Sequence, residues 1–338
     1  MSTDNNTADT QAAQDSARNS QNLAGIIKEA ALRGDFAEAD ALREELIAGD
    51  PMNLNLIVST GEIIEEQKFK LLDKDHLAVW QELYQDCNTE ETNSLFYSLE
   101  PATIEPSKLL QVQGKLSNRL FFIDSGKVVL FYRKEDKNKV VLELGRGDVV
   151  GEENFFEISL CPLSAATQSE VSLYSLTRSA AEKWHEMQPG LYEKIRDFCQ
   201  KTGKSKSGVA QKNLDRRSSS RYPVSGVVTA TILDQEGKPS ENYFKGPMTD
   251  ISRTGLCFDI KCSNYETARA ILARTIEISA VFPGGEDACW VQQGIVTKVS
   301  FHLHNDYTVH VRLHDIIEEE LFKSFPCDWS VDDQSEEE

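Results

Sequence analysis

The tightest constraint on the fold is a punctuated stretch in the second half of the chain, 216–255. It opens with Arg216 and with Arg217-Ser-Ser-Ser-Arg221, continues through an apolar alternation at 224–233, and reaches Asp250-Ile-Ser252-Arg-Thr-Gly255 before a further apolar run. Alternating apolar residues broken at short intervals by Gly, Asp and Asn describe strands joined by tight turns. The pattern continues with strands at 275–282, 290–301 and 308–313, a short helix at 267–273 and an amphipathic helix at 316–325. Two arginines four apart on a Ser-rich lead-in can close on an anion from one side, because a guanidinium fork matches paired oxygens. Asp250, Ser252 and Gly255 add short polar groups and a permissive backbone at the turn.

Charge separates this stretch from its surroundings. The whole chain carries a formal net charge of −19, which argues against nucleic acid or an anionic membrane surface as a partner. Between residues 200 and 221, however, stand Lys201, Lys204, Lys206, Lys212, Arg216, Arg217 and Arg221 against the single acid Asp215. A local basic segment in an acidic protein suits a small polyanion better than a long polymer. The seven cysteines are scattered, without a C-x-x-C pair, as expected of a reducing compartment. No apolar run approaches the ~20 residues of a membrane span, and the N-terminus lacks a secretory pattern. A cytoplasmic protein without membrane insertion is expected.

The first half reads as mainly helical and then β. Residues 1–20 are polar, and disorder is expected there. Leu23, Ile26, Ile27, Ala30 and Ala31, then Phe36, Ala39, Leu42, Leu46 and Ile47, follow helical spacing around a Gly34-Asp35 break. One helical hairpin in a segment 21–80 follows, tetratricopeptide-like, but alone where such repeats need about three copies for stability. It would pack on a neighbour or form a homodimer. Beyond it, 89–95 reads as a helix entry capped by Thr89, and short β-type runs occupy 108–112, 120–123, 128–132, 140–144 and 171–176. An apolar-periodic helix at 180–198 (Trp184, Met187, Leu191, Ile195) leads to a basic linker at 200–216, and the chain ends in an acidic tail, 328–338.

Two resemblances follow from these residues. The pair Arg217-x-x-x-Arg221 and Asp250-x-Ser252-x-x-Gly255 resembles the two-part signature of the PilZ family, receptors for cyclic di-GMP. The resemblance implies a six-stranded β-barrel with a C-terminal helix over 217–327. It also implies a ligand site of Arg216, Arg217, Arg221, Asp250, Ser252 and Gly255, the arginines on phosphate and guanine and the Asp/Ser/Gly turn as the guanine platform. Residues 81–199 resemble the cyclic-nucleotide-binding fold, a β-roll closed by helices. Phe121-Phe122-Ile123-Asp-Ser-Gly126-Lys-Val128 is close to its strand-turn-strand phrase, Gly151-Glu152 resembles the start of its phosphate cassette, and Ser164-Ala165 match its end. At the position of that family's phosphate arginine stands Leu163. A buried phosphate without its cation forgoes a charged hydrogen bond of about 1.5–3 kcal/mol. The cassette therefore reads as degenerate, and the roll as a dimerisation or relay module.

The expected protein is of α+β class, mainly β with helices, and is a cyclic di-GMP effector. Ligand closure over the barrel would fix the linker, re-orient the domains and signal to a protein partner in motility, biofilm or exopolysaccharide control. A protein-interaction scaffold with vestigial sites, and a cyclic AMP sensor, are the competing readings. No enzyme is expected. No Ser/His/Asp order fits, and no histidine set has metal spacing, although His302 and His304 would share one strand face. No cofactor or metal is called for.

Overall fold

Asp35 separates the first two helices. The computed structural model describes residues 4–134, 137–204, 219–283 and 289–328. Helix α1 (Asp4–Arg33) meets α2 (Phe36–Gly49) at Asp35, whose carboxylate accepts the Glu38 N–H at 3.1 Å, and α3 (Leu54–Lys70) lies against both. Ile27, Ala30 and Ala31 of α1, Ala39 and Leu46 of α2, and Ile64 of α3 form their common core. Residues 4–20, for which disorder was expected, lie within α1, which starts at Asp4. Ser20 is buried and donates to Asp50 Oδ2 at 2.9 Å, anchoring the helix early. Once that turn is held, each added residue costs no new nucleation, and Ala8, Ala12, Ala13 and Ala17 are strong helix formers. The helix Thr89–Ser98 begins one residue earlier than expected in its cap: Asn88 and Glu91 make a reciprocal capping box, where Thr89 was expected.

The chain divides into two compact units. One runs to Glu100 and takes in Ala180–Ile195; the other holds Pro101–Ser179 and the chain from Arg196 onward. The second unit contains a β-roll and a closed sheet.

The roll is built from β1 (Leu99–Ile104), β2 (Leu109–Gln111), β3 (Arg119–Ser125), β4 (Val128–Lys134), β5 (Lys137–Leu144), β6 (Val149–Val150), β8 (Ser164–Thr167) and β9 (Val171–Thr177), with β7 (Ile158–Ser159) between β6 and β8. They form two four-stranded sheets, ordered β1-β9-β3-β6 and β2-β8-β4-β5. Phe121, Ile123, Leu130, Val141, Leu144 and Leu173 are among the apolar side chains that fill the space between.

The closed sheet comprises β10 (Tyr222–Pro223), β11 (Val227–Leu233), β12 (Pro239–Ser252), β13 (Gly255–Lys261), β14 (Thr275–Val281), β15 (Cys289–Phe301) and β16 (Asp306–Leu313). Every pairing is antiparallel, and the ladder β12-β11-β14-β15-β16-β13 returns to β12. Six strands thus close on themselves around Val228, Ala230, Ile251, Leu256, Phe258 and their neighbours, and β10 extends the free side of β12. The helix expected over 316–325 shortens to Glu319–Lys323, because the Ile317 N–H is given to Arg253 O and its carbonyl accepts from Arg253 Nε. Phe322 and Phe325 still dock on the core.

Roll and closed sheet are not joined by a linker alone, as the sequence led us to expect. β7 pairs antiparallel with β15, and Ile158 lies within the apolar core of the closed sheet. The linker residues 205–216 and the tail residues 329–338 lie outside the described residues.

Candidate functional site

The turn between β12 and β13 carries Asp250-Ile-Ser252-Arg-Thr-Gly255, and β10 brings Arg221 beside it through the register Pro223 opposite Asp250. Arg221 Nη1 donates to Asp250 Oδ1 at 3.1 Å, the two side chains being 28% and 31% exposed. The same nitrogen donates to Cys257 Sγ at 2.9 Å. Arginine and carboxylate are therefore already assembled on an accessible outer face. Arg216 and Arg217 lie outside the described residues.

Two motif residues are placed differently from expectation. Ser252 is buried, 3% exposed, and its hydroxyl donates to Gly255 O at 3.1 Å. It braces the turn and is not an open acceptor for a guanine edge. Gly255 needs no positive φ. A Cβ there would lie 2.5 Å from Val311 O on the adjacent β16, so glycine is demanded by strand proximity.

Beneath Arg221 lies a polar network absent from the motif. Cys257 Sγ is 2.9 Å from His310 Nδ1, and His310 Nε2 is 3.1 Å from Ser300 Oγ. A guanidinium only donates, so the Cys257 sulfur accepts from Arg221, and His310 links that sulfur at Nδ1 to Ser300 at Nε2. Burial pushes the Cys257 thiol up to about 12, against the opposing pull of Arg221. Burial, followed by the charges of Arg221 and Lys298, pulls His310 down to about 4. At neutral pH both are uncharged, which suits a hydrogen-bonded support and not a nucleophile. Sequence reasoning missed both because they are 53 positions apart. The one available signal was Cys257 two residues past Gly255. His302 and His304 do not share a strand face: β15 ends at Phe301 and His304 has φ +65°. Among the described residues no group of three or more His, Cys, Asp or Glu could hold a metal.

In the roll, the cassette residues separate. Gly151 has φ +97°, and a Cβ would lie 2.7 Å from Arg119 O, so the turn into Glu152–Phe155 requires glycine. Glu152 lines a cavity of about 570 Å³ with Glu153, Phe156, Arg196, Cys199 and Gly203, and a Cβ at Gly203 would lie 3.1 Å from the Glu152 side chain. Leu163 is 1% exposed and belongs to the roll's apolar core with Ala165, while Ser164 Oγ accepts the Gln113 N–H at 2.9 Å. Leu163 O accepts from Gln111 Nε2 at 3.1 Å. All three residues at this end of the cassette are thus buried in the packing of the roll.

Comparison with known proteins agrees with this half of the architecture. Residues 102–186 match the family described as "Cyclic nucleotide-binding domain". Two curated relatives, the CRP-like cAMP-activated global transcriptional regulators of Mycobacterium tuberculosis strains CDC 1551 / Oshkosh and ATCC 25618 / H37Rv, are each 27% identical over 114 residues, 33% of this chain and 51% of theirs. The chain spans about half the length of the curated relatives it matches. A solved cyclic nucleotide-binding domain from Methylobacillus flagellatus KT is 18% identical, with 42% of this chain and 85% of that one aligned at a TM-score of 0.37. No helix among the described residues is long and apolar enough to cross a membrane.

Proposed function

With a cyclic nucleotide-binding domain at residues 102–186 as the premise, we propose that the chain is a cytoplasmic cyclic di-GMP receptor and not an enzyme. The closed sheet acts as a PilZ-type barrel and the roll as its relay to a protein partner. One observation carries the reading: Arg221 and Asp250 are paired on the accessible face of a closed six-stranded sheet, at the turn where the resemblance requires them. A half-exposed pair of this kind is worth about 1 kcal/mol at most. A bidentate arginine contact to guanine O6 and N7 discriminates against another base by about 1–3 kcal/mol. A guanine can therefore compete with Asp250 for Arg221, while the freed carboxylate accepts from the guanine N1 and N2 hydrogens. Arg217, four residues earlier, and Arg216 would close on the phosphates. Ser252 and Gly255 contribute by shaping the turn.

A second reading, cyclic AMP sensing through the roll, is favoured by the names of the M. tuberculosis relatives. Against it stands Leu163, buried where the phosphate cation belongs.

Calorimetric titration of the full chain with cyclic di-GMP, cyclic AMP and cyclic GMP separates the two. Saturable heat with cyclic di-GMP alone, lost in the R217A/R221A double variant, is the expected result. No heat with cyclic di-GMP, or a double variant that binds like the parent, refutes the receptor reading.

A further inference from the structure

One row of cross-strand partners runs from the candidate site to the roll. Asp250 faces Cys257 across β12 and β13, Cys257 faces His310 across β13 and β16, His310 faces Lys298 across β16 and β15, and Lys298 faces Ser159 across β15 and β7. Neighbouring strands lie about 4.8 Å apart, so the four steps span roughly 19 Å. Side chains follow the same line. Arg221 holds Cys257, Cys257 holds His310, and His310 holds Ser300 on β15.

The far end of the row is fastened to the roll in four ways. Ser159 and Ile158 extend the edge of β15, and the Leu160 N–H donates to Thr297 O at 2.9 Å. Lys298 Nζ meets Glu157 Oε2 at 2.6 Å, and Ile158, 3% exposed, completes the apolar core of the closed sheet. Thr297 is the shared residue. It sits where the register of β15 against β16 shifts between Val296 and Lys298, a bulge of the kind that re-aims side chains. Its carbonyl is taken by the roll while its hydroxyl donates to His310 O at 3.1 Å. Strand addition to an exposed edge is a common mode of protein recognition. Here it occurs within one chain, and the added strand falls between Glu152 and Leu163, inside the span of the nucleotide cassette.

We propose that the segment 157–160 is a docking element which couples the roll to the site at Arg221 and Asp250. Seating β7 on β15 sets the bulge at Thr297, the bulge sets His310, and His310 with Cys257 sets Arg221. The cassette, with Leu163 buried in the roll, answers to the closed sheet. By reciprocity, whatever engages Arg221 tightens β7 on β15.

The ligand arm of the test rests on the receptor reading; the exchange arm does not. The full-chain variants are Ile158→Ala, which removes the buried anchor, and Thr297→Val, which removes only the hydroxyl on a β-branched frame and so guards against a folding failure. Amide hydrogen exchange is followed at 255–258 and 306–312 without ligand, and cyclic di-GMP affinity by calorimetry. Both variants are expected to speed exchange on β13 and β16 and to weaken affinity at least about fivefold. Faster exchange confined to 157–160 and 297–299, with affinity unchanged, overturns the coupling. If the parent takes up no cyclic di-GMP, the receptor reading falls and exchange on β13 and β16 alone decides: accelerated exchange there upholds the coupling, and unchanged exchange refutes it.

Discussion

Leu163→Arg restores by substitution the residue that a phosphate-binding cassette would carry, and the structure says what it should do. Leu163 is 1% exposed among the apolar side chains that fill the roll, Phe121, Leu130 and Val150 among them. Removing its buried surface costs about 1.5–3 kcal/mol. Placing an unpaired cation in the same space costs several kcal/mol more. A loss of at least about 4 kcal/mol is expected. In a body of 150–250 residues one kcal/mol moves the melting temperature by about 2–4 °C, so the variant should melt roughly 8–16 °C below the parent. Leu163→Ala, which creates a cavity without charge, should lose about 2–5 kcal/mol. Thermal unfolding followed by circular dichroism, with and without cyclic AMP, measures both. An arginine variant that melts within about 2 °C of the parent and takes up cyclic AMP would refute the reasoning, because Leu163 would then face an open site lacking only its cation.

Three further outcomes follow from the closed sheet. Gly255→Ala should destabilise by about 1–3 kcal/mol in urea unfolding, since its Cβ meets the Val311 carbonyl, a backbone atom that cannot swing away. Asp250→Ala leaves Arg221 without its carboxylate but removes a half-exposed pair, so stability should fall by no more than about 1 kcal/mol. Under the proposed receptor function, cyclic di-GMP affinity measured by calorimetry should fall by about tenfold or more, because a guanine would lose its acceptor. His310 has a folded pKa of about 4, below its ordinary 6.5, so the unfolded chain takes up the proton first. Its contribution is intact above about 6.5, is lost progressively as pH falls towards 4, and is flat below that. His310→Gln should flatten this segment of the stability curve, read by unfolding at pH 7, 5.5 and 4.5.

Local punctuation was legible in the sequence. The Gly34-Asp35 break and the 250–255 turn fell where glycine and Asp said they would, because those signals depend on one or two backbone dihedrals. What depended on distant neighbours was not legible. Ser252 is polar and its motif position suggested an open acceptor, yet in the fold it is 3% exposed, opposite Gly255 and bonded to its carbonyl. Cys257 and His310 meet across strands that the sequence separates widely, and nothing in either neighbourhood announces the other. Ile158-Ser159-Leu160 carried no sequence signal, since its partner β15 lies about 140 residues downstream, on the order of a whole domain. The helical start at Asp4 escaped notice because its anchor, Ser20 on Asp50, is itself a tertiary contact.

The ladder between β7 and β15 also bears on how such a protein could be assembled from modules. A fragment cut to begin after the roll would bare the carbonyl of Thr297 and the outer edge of β15 beside it, and would open the apolar core where Ile158 had been. Bare strand edges recruit strands from other chains, so the isolated piece should self-associate more readily than the whole chain. Exchange of either half for a relative would have to carry along the matching edge. The two halves are therefore physically joined at this edge, and a substitution in 157–160 is answerable to residues on the far side of the linker.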